Sequence, residues 1–231
     1  SYINYKNNKL ITLSMKSIFN KKASVLATIA TLVFGGMFAY NVFATSTITP
    51  ATGGSAISID TSSQSASTTW TNLTGPTITE STASQWATGT TIILNAPAGF
   101  EFNSGSSVSI SKSPGGSNFS AGFPLGVTPL QISVTVLISS DVATGITFSG
   151  IQVRPTGTVS TSTPVNITIS GSAGMTGNAG PLATVPGTAT KLGFTTSPSA
   201  TTVYGSNFSS QPVVKAQDQF GNNTTTGVPA S

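Results

Sequence analysis

An all-β chain, built as an antiparallel β-sandwich, is the fold this sequence predicts, and three observations predict it. Short runs of Val, Ile, Thr and Phe alternate with polar residues from about residue 46 onward. Gly, Pro and Asn punctuate those runs at short intervals. No stretch after residue 45 carries the 3.6-residue apolar period of a helix. Composition agrees. Hydrophobic residues make up 37% of the 231 residues, enough for a core, while charged residues make up 6%, against about 25% in typical soluble domains. Ser and Thr fill the difference, at about a third of the chain. Disorder would call for high net charge and few β-branched residues, and the alternating runs are the opposite of that.

Taken in order, residues 1–14 contain no Met and precede Met15, so they are expected to be translated upstream sequence and are left out of fold reasoning. Residues 15–44 read as a secretory signal helix. Lys16, Lys21 and Lys22 form a positive start, and an apolar stretch from about Ala23 to Phe43 follows. Val42-Phe43-Ala44 places small or aliphatic side chains where a signal peptidase reads them, so cleavage is expected between Ala44 and Thr45. An uncleaved anchor is the alternative, since about 20 apolar residues span a bilayer; Gly35, Gly36, Tyr40 and Asn41 weaken that reading. The signal places the rest of the chain outside the cell, secreted or at the cell surface, with membrane contact confined to residues 15–44.

Residues 45–187 form the main β-sandwich domain in this reading. Its strand candidates are Ala56–Ile59, Thr77–Thr79, Thr90–Leu94, Ser107–Ser111, Ile132–Val136, Ile146–Phe148, Ile151–Val153 and Val165–Ile169. Alternation within them puts one face of each strand toward a core. The stretch from about Gly171 to Ala189 is rich in Gly, Ala, Thr and Pro and reads as a strand edge running into a linker. Residues 190–231 open a new unit. Val213–Asp218 alternates, and Phe220-Gly221-Asn222 supplies a turn.

Charge and residue inventory exclude several kinds of chemistry. The net charge of +4 is misleading, because five of the nine basic residues lie before residue 23. Residues 45–231 hold Lys112, Arg154, Lys191 and Lys215 against Asp60, Glu80, Glu101, Asp141 and Asp218, four minus five, or −1. No basic patch for nucleic acid follows from that distribution. There is no His and no Cys, which removes the usual base of a nucleophilic triad and thiolate ligands for metals. Glu101 lies between Phe100 and Phe102, so alternation turns it to the other face, an outward strand position and a poor fit to the paired carboxylates of a glycosidase. Lys112 adjoins a Pro-Gly-Gly turn and reads as a solvated charge. Asp218 with Asn222 and Asn223 is a sparse calcium candidate; capping of its own turn is the plainer role. No cofactor or catalytic residue is expected, and the chain is not expected to be an enzyme. Trp70 and Trp86 are the candidate ligand contacts, because flat aromatic faces stack on sugars; the alternative for either is a place in the core. Phe119, Phe123 and Tyr204 are lesser candidates of the same kind.

Lys191–Ala200, with its Thr-Ser-Pro-Ser ending, followed by Gln211-Pro212-Val213-Val214 and by Asp218 ahead of Phe220-Gly221-Asn222, resembles the opening strands of bacterial immunoglobulin-like repeats of large surface and adhesin-type proteins. The match covers about 40 residues. Ala96–Phe102 and Ile146–Arg154 of the main domain resemble, less specifically, domains that precede such repeats. An immunoglobulin-like domain takes about 100 residues, so residues 190–231 are expected to be a truncated second immunoglobulin-like unit, loosely ordered by itself, in the N-terminal fragment of a longer protein. The resemblance implies a structural or adhesive module, a spacer or contact domain whose partner is a polysaccharide or another surface protein. Two other readings stand beside it: a carbohydrate-binding module of a larger secreted enzyme, and a surface-layer component.

Overall fold

Alternation decides which side of each strand turns inward, and the buried positions follow it closely. The computed structural model describes residues 46–115, 117–122 and 125–228; the signal helix and the Ala44–Thr45 cleavage site lie outside the described residues, as does Phe123. The strands in chain order are β1 (Thr47–Thr49), β2 (Ile57–Ser58), β3 (Thr71–Asn72), β4 (Thr77–Thr79), β5 (Thr91–Asn95) and β6 (Phe100–Phe102). Then come β7 (Ser109–Ser113), β8 (Ser120–Ala121), β9 (Gly126–Val127), β10 (Gln131–Ile138), β11 (Gly145–Ser149) and β12 (Gln152–Pro155). The last are β13 (Val165–Ser170), β14 (Gly177–Leu182), β15 (Thr184–Val185), β16 (Lys191–Thr196) and β17 (Val213–Gln217). One 3-10 turn, Ile59–Thr61, ends the Ala56–Ile59 candidate early. Ser58 caps it by accepting the Asp60 amide on its hydroxyl. No α-helix occurs among the described residues.

The protein is all-β, with several antiparallel sheets. A four-stranded sheet runs β1-β4-β11-β7, and a six-stranded one runs β14-β13-β5-β10-β8 with β9 also on β10. A three-stranded sheet, β3-β12-β6, and the hairpin β16-β17 are antiparallel as well; the short β15-β2 pair is parallel. On the six-stranded sheet, Ile132 pairs with Leu94 and Val134 with Ile92, and all are buried. On the four-stranded sheet, Ile78 faces Ile146, and Phe148 lies one alternation further along. Phe102 pairs with Val153 on the three-stranded sheet. These side chains meet in one hydrophobic cluster. Each fully buried aliphatic or aromatic side chain there is worth about 1.5–3 kcal/mol relative to exposure.

The Ala-Pro-Ala-Gly-Phe motif shows why a glycine stands where it does. The Phe100 amide closes a turn onto the Pro97 carbonyl at 3.1 Å. Gly99, at its third position, has φ +87° with open space around it. The backbone angle alone demands glycine here.

The stretch read as a strand edge running into a linker, about Gly171 to Ala189, holds two strands, β14 and β15, the second reaching Val185. Ala179, Leu182 and Ala183 are buried. Its glycines serve close packing: a Cβ on Gly177 would sit 2.5 Å from Ile48 Cδ1, and one on Gly180 would sit 2.9 Å from Ala51 Cβ. Glycine marks the near approach of another strand here, a cue that sequence alone does not separate from linker composition.

Candidate functional site

The two tryptophans proposed as ligand contacts have opposite fates. Trp86 is 0% exposed, in the core cluster. Its indole N–H lies 3.1 Å from the Ser46 hydroxyl and 3.1 Å from Met175 Sδ. Phe119 meets it edge to face, with centroids 5.7 Å apart. Neither ring presents a face to solvent. Tyr204 is fully exposed.

Trp70 stands outside the core cluster and is half-buried. Alternation explains its surroundings. On the β3-β12-β6 sheet, Phe100, Phe102, Val153 and Pro155 turn inward. The intervening residues, Glu101, Gln152 and Arg154, and with them Trp70, Asn72 and Asn103, fall on the outward face. Arg154 pairs with Glu101 in the ladder, and its Nε donates to Glu101 Oε1 at 2.6 Å. The same guanidinium lies 4.1 Å from the Trp70 ring centroid, a cation–π contact. Beside it Asn103 Nδ2 donates to Gln152 Oε1 at 2.7 Å, and Gln152 Nε2 donates to Asn72 Oδ1 at 2.9 Å. Sequence reading found Trp70 but missed these neighbours. The signal was present as period two, Trp-x-Asn, Glu-x-Asn and Gln-x-Arg; what brings them together is the pairing of three strands distant in the chain.

The remaining carboxylates each hold a separate piece of loop. Glu80 is buried and accepts the amides of Trp86 at 2.9 Å and Thr144 at 3.1 Å, and the Ser140 hydroxyl. Asp141 and Asn118 each accept the other's backbone amide, at 3.1 and 2.8 Å. The Lys112 ammonium donates to the carbonyls of Ser117 and Phe119, closing its own loop.

Asp218 is fully buried at a joint between the final hairpin and the rest of the fold. Oδ1 accepts the amides of Phe220 at 3.0 Å and Asn222 at 2.9 Å, and Oδ2 accepts the Gly187 amide at 2.9 Å. Asn222 Nδ2 touches both oxygens and also donates to the Thr158 carbonyl at 2.9 Å, while Asn222 Oδ1 accepts the Ser160 amide at 3.0 Å. Asp60 adds a second tie, accepting the Thr188 amide at 2.7 Å and Gln219 Nε2 at 3.0 Å. Burial pushes the Asp218 carboxyl up, but the Gly187 amide, the Asn222 side chain and the Asn222 and Phe220 amides together hold it below the usual Asp value. Its oxygens are spent on N–H donors, the turn-capping arrangement. Among the described residues no group of three or more acidic, His or Cys side chains could hold a metal ion. A cleft of about 490 Å³ lies beside this joint, lined by Val185, Pro186, Lys215, Ala216, Thr224 and Val228 among others.

Comparison of the chain with protein-family models, with curated proteins and with solved structures returns no match.

Proposed function

We propose that this chain is an exported cell-surface module. In this reading residues 46–187 are an immunoglobulin-like β-sandwich and β16–β17 are the opening strands of a second unit of the same kind, so that the whole works as a spacer or contact domain of a larger multi-repeat protein. One observation carries the reading. The hairpin is tied to the preceding domain through Asp218, Asn222 and Asp60, yet its own apolar face is uncovered. Leu192 pairs with Ala216 and Phe194 with Val214, so these share one face, and Leu192 is 75%, Phe194 62% and Val214 49% exposed. A two-stranded hairpin is marginal in water without a second layer. Further strands packed on that face would complete a unit already fixed to its neighbour, which is how a string of modules transmits position along its length.

Stretching the full chain between two handles in a single-molecule force experiment tests the spacer role. A module built for reach resists and then gives way in one cooperative event, lengthening by about 480 Å for ~140 residues at roughly 3.4 Å each. Gradual extension at low force, with no such event, would sink the reading.

A further inference from the structure

We propose that the outward face of the β3-β12-β6 sheet is a binding site for a neutral saccharide, with Trp70 as its stacking platform. Phe100, Phe102, Phe119, Phe148 and Trp86 all belong to the core cluster, and Trp70 does not. A partly solvated indole amid Ser and Thr is apolar area that a sugar's C–H face can cover. Arg154 takes one face of the ring at 4.1 Å. That orients the indole, and the ligand would stack on the part of the ring still open to solvent.

The polar groups around the ring are of the kind that read hydroxyls. Arg154 spends only Nε on Glu101, and Glu101 spends only Oε1. The Nη donors and the Oε2 acceptor therefore remain, next to each other, to take the donor and acceptor sides of a vicinal diol. The Asn103–Gln152–Asn72 chain fixes each amide in one orientation, so little ordering is left for binding to supply. Strands display Asn72, Glu101, Gln152 and Arg154, and Trp70 and Asn103 directly adjoin the ends of β3 and β6, which favours a preset geometry.

Charge selects the ligand class. The face carries one Arg and one Glu, paired with each other, and is formally neutral. An anionic polysaccharide or a nucleic acid would find no excess cation. A protein partner would look for several large apolar anchors where this face has one ring.

The test is affinity electrophoresis of the full chain through gels containing dextran, β-1,3-glucan, mannan or soluble chitin oligomers, with heparin as the anionic control. At least one neutral glycan should retard the wild type. Trp70→Ala should weaken that binding about tenfold or more, a difference of about 1.4 kcal/mol, with the unfolding midpoint unchanged, and Gln152→Ala should weaken it less. Retardation by heparin alone, by no glycan, or equally in Trp70→Ala overturns the proposal. Should Trp70→Ala fail to fold, acrylamide quenching of the wild type replaces it. Trp86 is sealed, so quenching reports Trp70, and a bound neutral glycan must protect it; unchanged quenching at saturating glycan overturns the site. The spacer reading rests on the β16–β17 joint and survives any of these failures.

Discussion

Residues 46–187 and the hairpin of residues 190–228 are written in the same alternating pattern, and only the first has its pattern satisfied. In β10, Ile132 and Val134 alternate with polar neighbours and are buried. In β16, Leu192 and Phe194 alternate in the same way and stand in solvent. The difference is the presence of an opposing layer. Alternation states which face of a strand is to be covered; the cover has to come from other strands.

Core truncation should separate the two regions most sharply. Phe148→Ala removes a fully buried ring and is expected to cost about 3–5 kcal/mol, whereas Phe194→Ala is expected to stay within about 0.5 kcal/mol. Urea unfolding followed by the fluorescence of buried Trp86 measures both. A cost for Phe194→Ala approaching that of Phe148→Ala would mean that the hairpin face is covered after all.

The joint comes next. Asp218→Ala leaves the buried amide of Gly187 and the part-buried amides of Phe220 and Asn222 without their acceptor, a loss of about 1–3 kcal/mol expected to fall on the hairpin and spare the core. Acid should act in the same direction. The folded carboxyl titrates below its unfolded value, so its contribution is complete above about pH 4 and is lost as pH falls through the lowered folded value. Amide NMR shifts of Gly187, Phe220 and Asn222 should titrate together in that acid range while core amides hold still. Their titration should disappear in Asp218→Asn; if it persists there, another group governs the joint.

Gly99→Ala is the smallest of the three. Forcing a Cβ into φ +87° should cost about 1 kcal/mol with no new contact made, because the space there is open. A thermal melt of the variant against wild type reads it. A shift as large as that of Phe148→Ala would show that the turn does more than hold its angle.

Much of this was legible in the residues. Ile132–Val136 and Val165–Ile169 lie within observed strands, and Glu101 turns away from Phe100 and Phe102 as alternation requires. Turn capping by Asp218 was readable because Asp, Gly and Asn close together favour side-chain bonds to local amides. Other features were hidden. Trp70 and Trp86 both sit in Ser- and Thr-rich stretches, and nothing local says that one is sealed while the other lies outside. That is decided by Phe119 and Met175, distant in the chain, which enclose Trp86. The burial of Ala179, Gly180 and Leu182 was hidden for the same reason, since the residues that crowd Gly177 and Gly180 are Ile48 and Ala51, more than a hundred residues earlier.

Among the described residues Arg154 and Glu101 make the one ion pair; the other carboxylates and Lys112 are held by neutral amides, hydroxyls and carbonyls. Dissolved salt screens attraction between exposed charges over a length of about 10 Å at 0.1 M and leaves bonds to neutral partners almost untouched. The fold of residues 46–228 should therefore hold when its surroundings pass from dilute water to brine.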